Sequence, residues 1–221
     1  MNNIIKFYPW DNFAYENTLA PVPAVKNIPE YWSKWPRLLE NNVMTVKHCM
    51  PFFDAMTAGY YYLLPCDINI KIENKIPNIT WDCKITPLMI RNNKEIHSPI
   101  GYYDIHFSWQ MWWGLKLPDG WSALITNPLN DHELPFKTVS GIVDYDKYTA
   151  PGNIGFFIQE GFEGTIKKGT PIFQIIPIKR SQWSMEIDLS IQEQGHKDHD
   201  KKLSSPPAHY KKEIRVDKRY E

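Results

Sequence analysis

Cysteine, glycine and long apolar runs are scarce in this chain, and neither sign of charge is in excess. The cysteines Cys49, Cys66 and Cys83 are an odd, widely spaced set of 3 in 221 residues. Such a set fits a reducing compartment rather than a disulfide framework, and without a C-x-x-C pair it carries no structural-zinc signature. The 25 basic residues equal the 25 acidic ones, which excludes a large basic field for nucleic acid but leaves room for a local patch. No apolar stretch approaches the ~20 residues that a membrane helix needs. The N-terminus MNNIIKFYPWDNFAYENT lacks the basic-then-apolar layout of a secretory signal. A soluble, intracellular protein without a membrane partner is expected.

Several catalytic signatures are also missing. There is no G-x-G-x-x-G or Walker-type loop, no G-x-S-x-G elbow and no deaminase His-x-Glu with Pro-Cys-x-x-Cys. His132-Glu133 has the wrong spacing for an H-E-x-x-H helix. His97, His106 and His132 with Asp104 or Asp131 are the residues from which a two-histidine, one-carboxylate metal site could be drawn. Surface or turn histidines are the simpler expectation, and no resident metal or other cofactor is predicted. His48 and Cys49 are adjacent, so on a strand they point to opposite faces.

What the chain has is apolar and aromatic material: 43% hydrophobic residues, with 9 Trp, 12 Tyr and 10 Phe. At this length that is enough for one domain with a sizeable core. The 18 prolines outnumber the 11 glycines, which argues against long helices. Residues 1–42 read as an aromatic, proline-rich wrap with one short helix inside Pro29–Leu39, carrying Trp32 and Trp35. Residues 43–190 read as a β-rich core domain. From Met44 the pattern is strand-like, and Ile68, Ile70 and Ile72 alternate with Asn69, Lys71 and Glu73. YYDIHFSWQMWWGLKLP reads as two strands; WSALITNP, VSGIVDYD, NIGFFIQE and GTPIFQIIPIKR read as one each. Trp109, Trp112, Trp113 and Trp121 lack interleaved Lys or Arg and are expected in the core or a subunit interface. Residues 191–221 read as a charged tail, flexible or peripherally docked, with a Ser-Ser-Pro-Pro break. Its Tyr210, Lys211, Lys212, Arg215, Lys218 and Arg219 could reach a neighbouring subunit or a nucleic-acid backbone.

Three stretches in order, LKLPDGWSALITNP, VSGIVDYDKY and GTIKKGTPIFQIIPIKR, resemble the trimeric dUTPase and dCTP deaminase superfamily, which has a β-clip fold. The matching residues are Leu117, Pro118 and Gly120; Gly141, Asp144 and Asp146; and Lys168, Gly169, Ile172 and Gln174. The resemblance spans residues 110–180 and implies a mainly β, dUTPase-like barrel or sandwich and a homotrimer. It also implies site roles. Asp144 would orient the water, Asp146 would support the turn or the metal–phosphate surroundings, and Tyr148 (or Tyr145) would pack on the sugar. Asn127 lies in the nucleotide loop, Gln174 would meet phosphate, and Mg2+ would sit on the phosphates.

The departures concern the phosphate groups. Thr126-Asn127-Pro128 stands where the family has Arg-Ser-Gly, Lys147 displaces the family's tyrosine, and no glycine-rich arm follows. Aspartates in turns also bond to nearby backbone, so a structural turn is the first expectation for the pair. The whole chain is also similar to an uncharacterised family of tailed phages and bacteria, through MPFFDAMTAGYYYLLPCDI, LKLPDGWSALITNPLN, LPFKTVSGIVDYDKY and GTPIFQIIPIKRSQW. The expected function is therefore a phage-associated, non-enzymatic, structural or partner-binding component. It would lie in the host cytoplasm or on the virion, with a virion or host protein as partner. The alternative is a nucleotide-binding or nucleotide-hydrolysing dUTPase relative that uses Asp144.

Overall fold

The computed structural model describes residues 3–91, 95–205 and 209–221. Its strands, in chain order, are β1 Lys6–Pro9, β2 Val22–Pro23, β3 Tyr60–Leu63, β4 Ile68–Glu73, β5 Ile76–Trp81, β6 Leu88–Arg91, β7 Tyr102–Gln110, β8 Trp113–Lys116, β9 Trp121–Thr126, β10 Phe136–Thr138, β11 Gly141–Val143, β12 Asn153–Gln159, β13 Gly164–Ile166 and β14 Pro171–Lys179. The helices are α1 Asn12–Asn17, α2 Glu30–Lys34, α3 Met50–Met56 and α4 Gln192–Ser204. The fold is mainly β, as the sequence predicts. The strands form antiparallel sheets in the orders β11-β9-β14-β3-β2, β10-β12-β7-β6, β13-β4-β5 and β1-β8. Among the described residues none of these sheets closes into a barrel.

The β4–β5 hairpin follows directly from its sequence. Ile68 and Ile70 are buried while Asn69, Lys71 and Glu73 face solvent. Asn74 and Lys75 both have positive φ, 52° and 65°, as a two-residue turn compatible with strand twist requires. The register pairs Ile68 with Trp81, so continuing it outward sets position 66 opposite position 83. Cys66 and Cys83 are indeed joined by a disulfide. This corrects the expectation against a disulfide: 17 residues of separation hid a cross-strand pair. Cys49 is free and exposed.

One core links the sheets. Trp109 of β7 is fully buried and stacks on Phe156 of β12, with centroids 3.5 Å apart and planes 4° off parallel. Its Nε1 donates to Thr138 Oγ1 of β10 at 3.0 Å, and that hydroxyl donates to the Ile172 carbonyl of β14 at 2.6 Å. Tyr62 of β3 accepts the backbone N–H groups of Trp112 and Trp113 at 2.6 and 2.9 Å, which satisfies the break between β7 and β8. Burial raises the Tyr62 hydroxyl well above its usual range. The turn from α3 into β3 requires Gly59. Its φ is +65°, and a Cβ there would lie 2.0 Å from the Ile175 carbonyl oxygen.

Other local expectations change. The strand expected from Met44 is instead a 3-10 turn at Val46–His48 followed by α3. The Thr45 hydroxyl accepts from Lys47 N, and Pro51 stands in the first turn of α3, a position that needs no N–H. The β-rich stretch from Gly59 to Asn74 breaks at Pro65-Cys66 into β3 and β4, and residues 78–90 divide between β5 and β6. Helix α1, unforeseen, is capped by Asp11, whose Oδ1 accepts from Ala14 N at 2.7 Å.

The N-terminal segment lies along the sheets: β1 pairs with β8, and β2 with β3. The chain's end docks on α3. Asp54 Oδ1 accepts from Arg215 Nη2 at 2.7 Å and Oδ2 from Lys218 Nζ at 3.0 Å. Arg215 and Lys218 are thus engaged within the chain. Burial opposes ionisation of Asp54, but these two cations outweigh it and lower its pKa. Pro206 and Pro207 of the expected break lie outside the described residues. Between β14 and that docked end, residues 181–204 bury no side chain at all. Among the described residues no helix is long and apolar enough to cross a membrane.

Non-reducing peptide mapping should recover a Cys66–Cys83 linked peptide with Cys49 free to alkylate. Trp109→Ala, which empties the stack and strands the Thr138 hydroxyl, should cost about 3–5 kcal/mol in denaturant unfolding.

Candidate functional site: the acidic hairpin after β11

β9 and β14 pair antiparallel, with Trp121 opposite Lys179 and Thr126 opposite Gln174. Arg180 therefore arrives opposite Gly120, and its N–H donates to the Gly120 carbonyl at 2.9 Å. On the other side of β9, Val143 pairs with Ala123, so Asp144 arrives at Ser122. These registers bring three loop ends together. The guanidinium of Arg180 forms a two-pronged ion pair with Asp146, with Nη1 to Oδ1 at 2.8 Å and Nη2 in close contact with Oδ2. Asp146 Oδ2 also accepts from Gly120 N at 2.9 Å. Arg180 Nη1 donates to Ser122 Oγ at 3.1 Å and lies 3.2 Å from Asp144 Oδ1; Ser122 Oγ donates to that same oxygen at 2.6 Å.

The two acids are not equivalent. The Asp146 side chain has no exposed surface, whereas that of Asp144 is 57% exposed. The hydrogen bonds from Arg180, then the Gly120 N–H, hold the Asp146 carboxyl far below the usual carboxylate range against the opposing effect of burial. Asp146 thus locks the turn, and its charge is spent on Arg180. Asp144 is the acid that solvent reaches. Its carbonyl accepts the N–H groups of Lys147 and Tyr148 at 2.8 and 2.9 Å, which curls the turn back on itself. Tyr148 is exposed, while Tyr145 is buried with its hydroxyl 4.0 Å from Met111 Sδ. Burial pushes the Tyr145 hydroxyl up to about 12.

Asn127 and Gln174 lie elsewhere. They stand at the Thr126 end of β9, and Asp144 stands at the Ser122 end. Four residues of strand separate those ends, roughly 13 Å. Gln174 is fully buried. Its Nε2 donates to the Ala55 and Ala58 carbonyls at 3.0 and 2.6 Å, and its Oε1 accepts from Leu129 N at 2.9 Å. Asn127 Oδ1 accepts from Thr138 N at 2.9 Å. Both amides tie the chain to itself. The residues that sequence reasoning missed are Arg180 and Ser122.

A cavity of about 860 Å3 is bordered by Leu117, Pro118 and Trp121 on one side and by Asp217–Glu221 on another; neither Asp144 nor Asp146 lines it. Among the described residues no three His, Cys, Asp or Glu side chains converge as a metal cluster. His106 is buried against Phe157, 3.5 Å from Glu95 Oε2, and His132 stands beside Tyr31. Asp104 accepts from Ser98 Oγ at 3.2 Å. The carboxyl of Asp131 is raised, first by burial.

No family model matches the chain, and none of the curated proteins does. Among solved structures, a mutant dUTPase from phage phi11 of S. aureus is similar over 85% of this chain and 97% of that one. The identity is 10% and the TM-score 0.39. At that TM-score the likeness places no residue, and the mainly β assignment stands on the strand pairing itself.

Because the folded pKa of Asp146 is depressed, its ion pair stabilises fully above the unfolded carboxylate value of about 3.9. That stabilisation is lost as pH falls. Asp146→Asn should therefore unfold more easily at neutral pH, and the gap to the wild type should narrow progressively below about pH 4 in denaturant titrations. Gln174→Leu leaves the Leu129 N–H and the Ala58 carbonyl buried without partners and should cost about 2–4 kcal/mol.

Proposed function

We propose that this chain is a phage-associated, non-enzymatic structural component that assembles with copies of itself through the segment 181–191. One observation carries the reading. Trp183, Met185, Ile187, Leu189 and Ile191 alternate with polar residues, and all five are strongly exposed, from 66% at Ile191 to 91% at Met185. Trp183, Met185 and Ile187 stand in the extended stretch before the 3-10 turn Leu189–Ile191, so alternation sets these three on one face, and Leu189 and Ile191 follow in the turn. Among the described residues, no hydrogen bond from 181–204 reaches the body of the chain. Covering these side chains is worth about 1.5–3 kcal/mol each, so an isolated chain leaves this apolar strip in water.

The occupant we infer is a sheet edge of a second copy. The segment leaves from the end of β14. Its extended part, 181–188, reaches roughly 26 Å, well beyond the roughly 16 Å radius of gyration of a body of this size. It can thus cross to a neighbour. Edge strands β5, β6 and β11 each present an exposed isoleucine: Ile76, Ile90 and Ile142. Strand addition needs such an edge. The β-clip resemblance implies a trimer, and the resemblance to a family of tailed phages implies a virion or host partner. The acidic hairpin supports the same reading. Arg180 is spent on Asp146, and Gln174 is spent on α3.

The alternative, a dUTPase-like hydrolase with Asp144 as water-orienting base and Mg2+ on the phosphates, draws on the exposure of Asp144 alone.

Sedimentation velocity across a concentration series should give an oligomer. The variant Trp183→Ser/Met185→Ser/Ile187→Ser should give a monomer with an unchanged far-UV circular dichroism spectrum. A monomeric wild type, or an oligomeric variant, sinks the proposal. A thermal shift with one deoxynucleotide triphosphate and magnesium, abolished by Asp144→Ala, would instead establish the alternative.

A further inference from the structure

A second cavity, of about 430 Å3, opens where the N-terminal wrap, α3 and the returning tail meet. We propose that it binds a small phosphorylated organic anion carrying at least two negative charges, with a flat apolar part. The reading concerns residues remote in sequence from the acidic hairpin and does not depend on self-assembly.

The lining is one-sided in charge. Arg37 comes from the wrap, Lys47 from the 3-10 turn before α3, and Lys211 and Lys212 from the tail; no carboxylate lines the cavity. Among the described residues none of the four has an acidic partner; Lys47 Nζ meets only the Ser33 carbonyl, at 3.0 Å. Other cations of the chain do carry acidic partners: Arg180 has Asp146, Arg215 and Lys218 have Asp54, and Lys167 has Asp67. Four uncompensated positive charges around one concavity repel one another, and the low-dielectric walls focus their field on whatever enters. The arrangement is fixed rather than accidental. The Asp54 carboxylate, on α3 beside the cavity wall at Phe53, anchors Arg215 and Lys218 and so sets Lys211 and Lys212 opposite Arg37 and Lys47.

The second feature is the apolar wall. Trp32 and Phe53 line the cavity, and Trp32 is held rigid by stacking on Phe52, with centroids 5.6 Å apart and planes 14° off parallel. Cations and aromatic faces lining one cavity suit a phosphate joined to a ring. The volume lies in the range of small-molecule sites.

The test uses calorimetric titration of the full-length protein with phenyl phosphate and with inorganic pyrophosphate. Both should bind saturably, one per chain. Arg37→Ala/Lys211→Ala/Lys212→Ala should raise both dissociation constants at least about ten-fold. Lys71→Ala/Lys84→Ala, on and beside the β4–β5 hairpin, should leave them unchanged, and so should Asp144→Ala. Absence of saturable binding by either probe overturns the proposal. So does equal weakening in the hairpin variant, which would mean diffuse charge attraction. Binding of a single-stranded oligonucleotide that neither small probe displaces would also overturn it, in favour of a nucleic-acid contact.

Discussion

β14 is the constraint on which the rest of the structure depends. It is hydrogen-bonded on both sides, to β9 and to β3, and it carries the two side chains that hold the loops. Gln174, buried in its middle, joins the end of α3 to the loop after β9. Arg180, just past its end, joins the Gly120 turn to the acidic hairpin. The Ile172 carbonyl, near its start, receives the Thr138 hydroxyl that Trp109 reaches from the other sheet. A shift of β14 by one residue would turn Gln174 and Arg180 away from their partners together, because side chains alternate along a strand.

Charge is distributed by the same economy. Asp146 and Asp54 are the inaccessible or nearly inaccessible carboxylates that take arginines, one at the exit of β14 and one on α3. Each clamp closes a loop or terminus against the sheets. The hairpin that resembles a nucleotide site is closed by the first clamp, and the tail is returned to the body by the second. Returning the tail creates the basic cavity, so one ion-pair cluster on Asp54 both ends the fold and builds the concavity beside it. The segment between the two clamps, 181–204, touches neither, and it presents the alternating apolar strip.

Much of this was legible in the residues. The alternation of Ile68, Ile70 and Ile72 gave β4 and its face. The aromatic run from Tyr102 gave β7 and β8, and Trp109, Trp112, Trp113 and Trp121 fell in or against the core. The hairpin arithmetic that pairs Cys66 with Cys83 was also present, through the Asn74-Lys75 turn, but an odd cysteine count drew attention away from it. So was the strip from Trp183 to Ile191, a period of two hidden by the charged tail that follows. Helix α3 was obscured because Met44–Phe53 alternates weakly, while Thr45 and Pro51 set a capped turn.

The local sequence settled strand identity, turn placement and the preference for sheets over long helices, since these depend on periodicity and backbone sterics within a few residues. It also put Asp144 and Asp146 on one turn. Tertiary structure alone decided that Arg180, 34 residues beyond Asp146, neutralises the buried acid, and that Gln174 and Asn127 stand a strand's length from Asp144. It alone brought Lys211 and Lys212 to face Arg37 and Lys47. These facts follow from the registers of β9 against β14 and β11 and from the docking of the tail on Asp54. Register and docking are set by the collective burial of a core, which no single stretch of sequence contains.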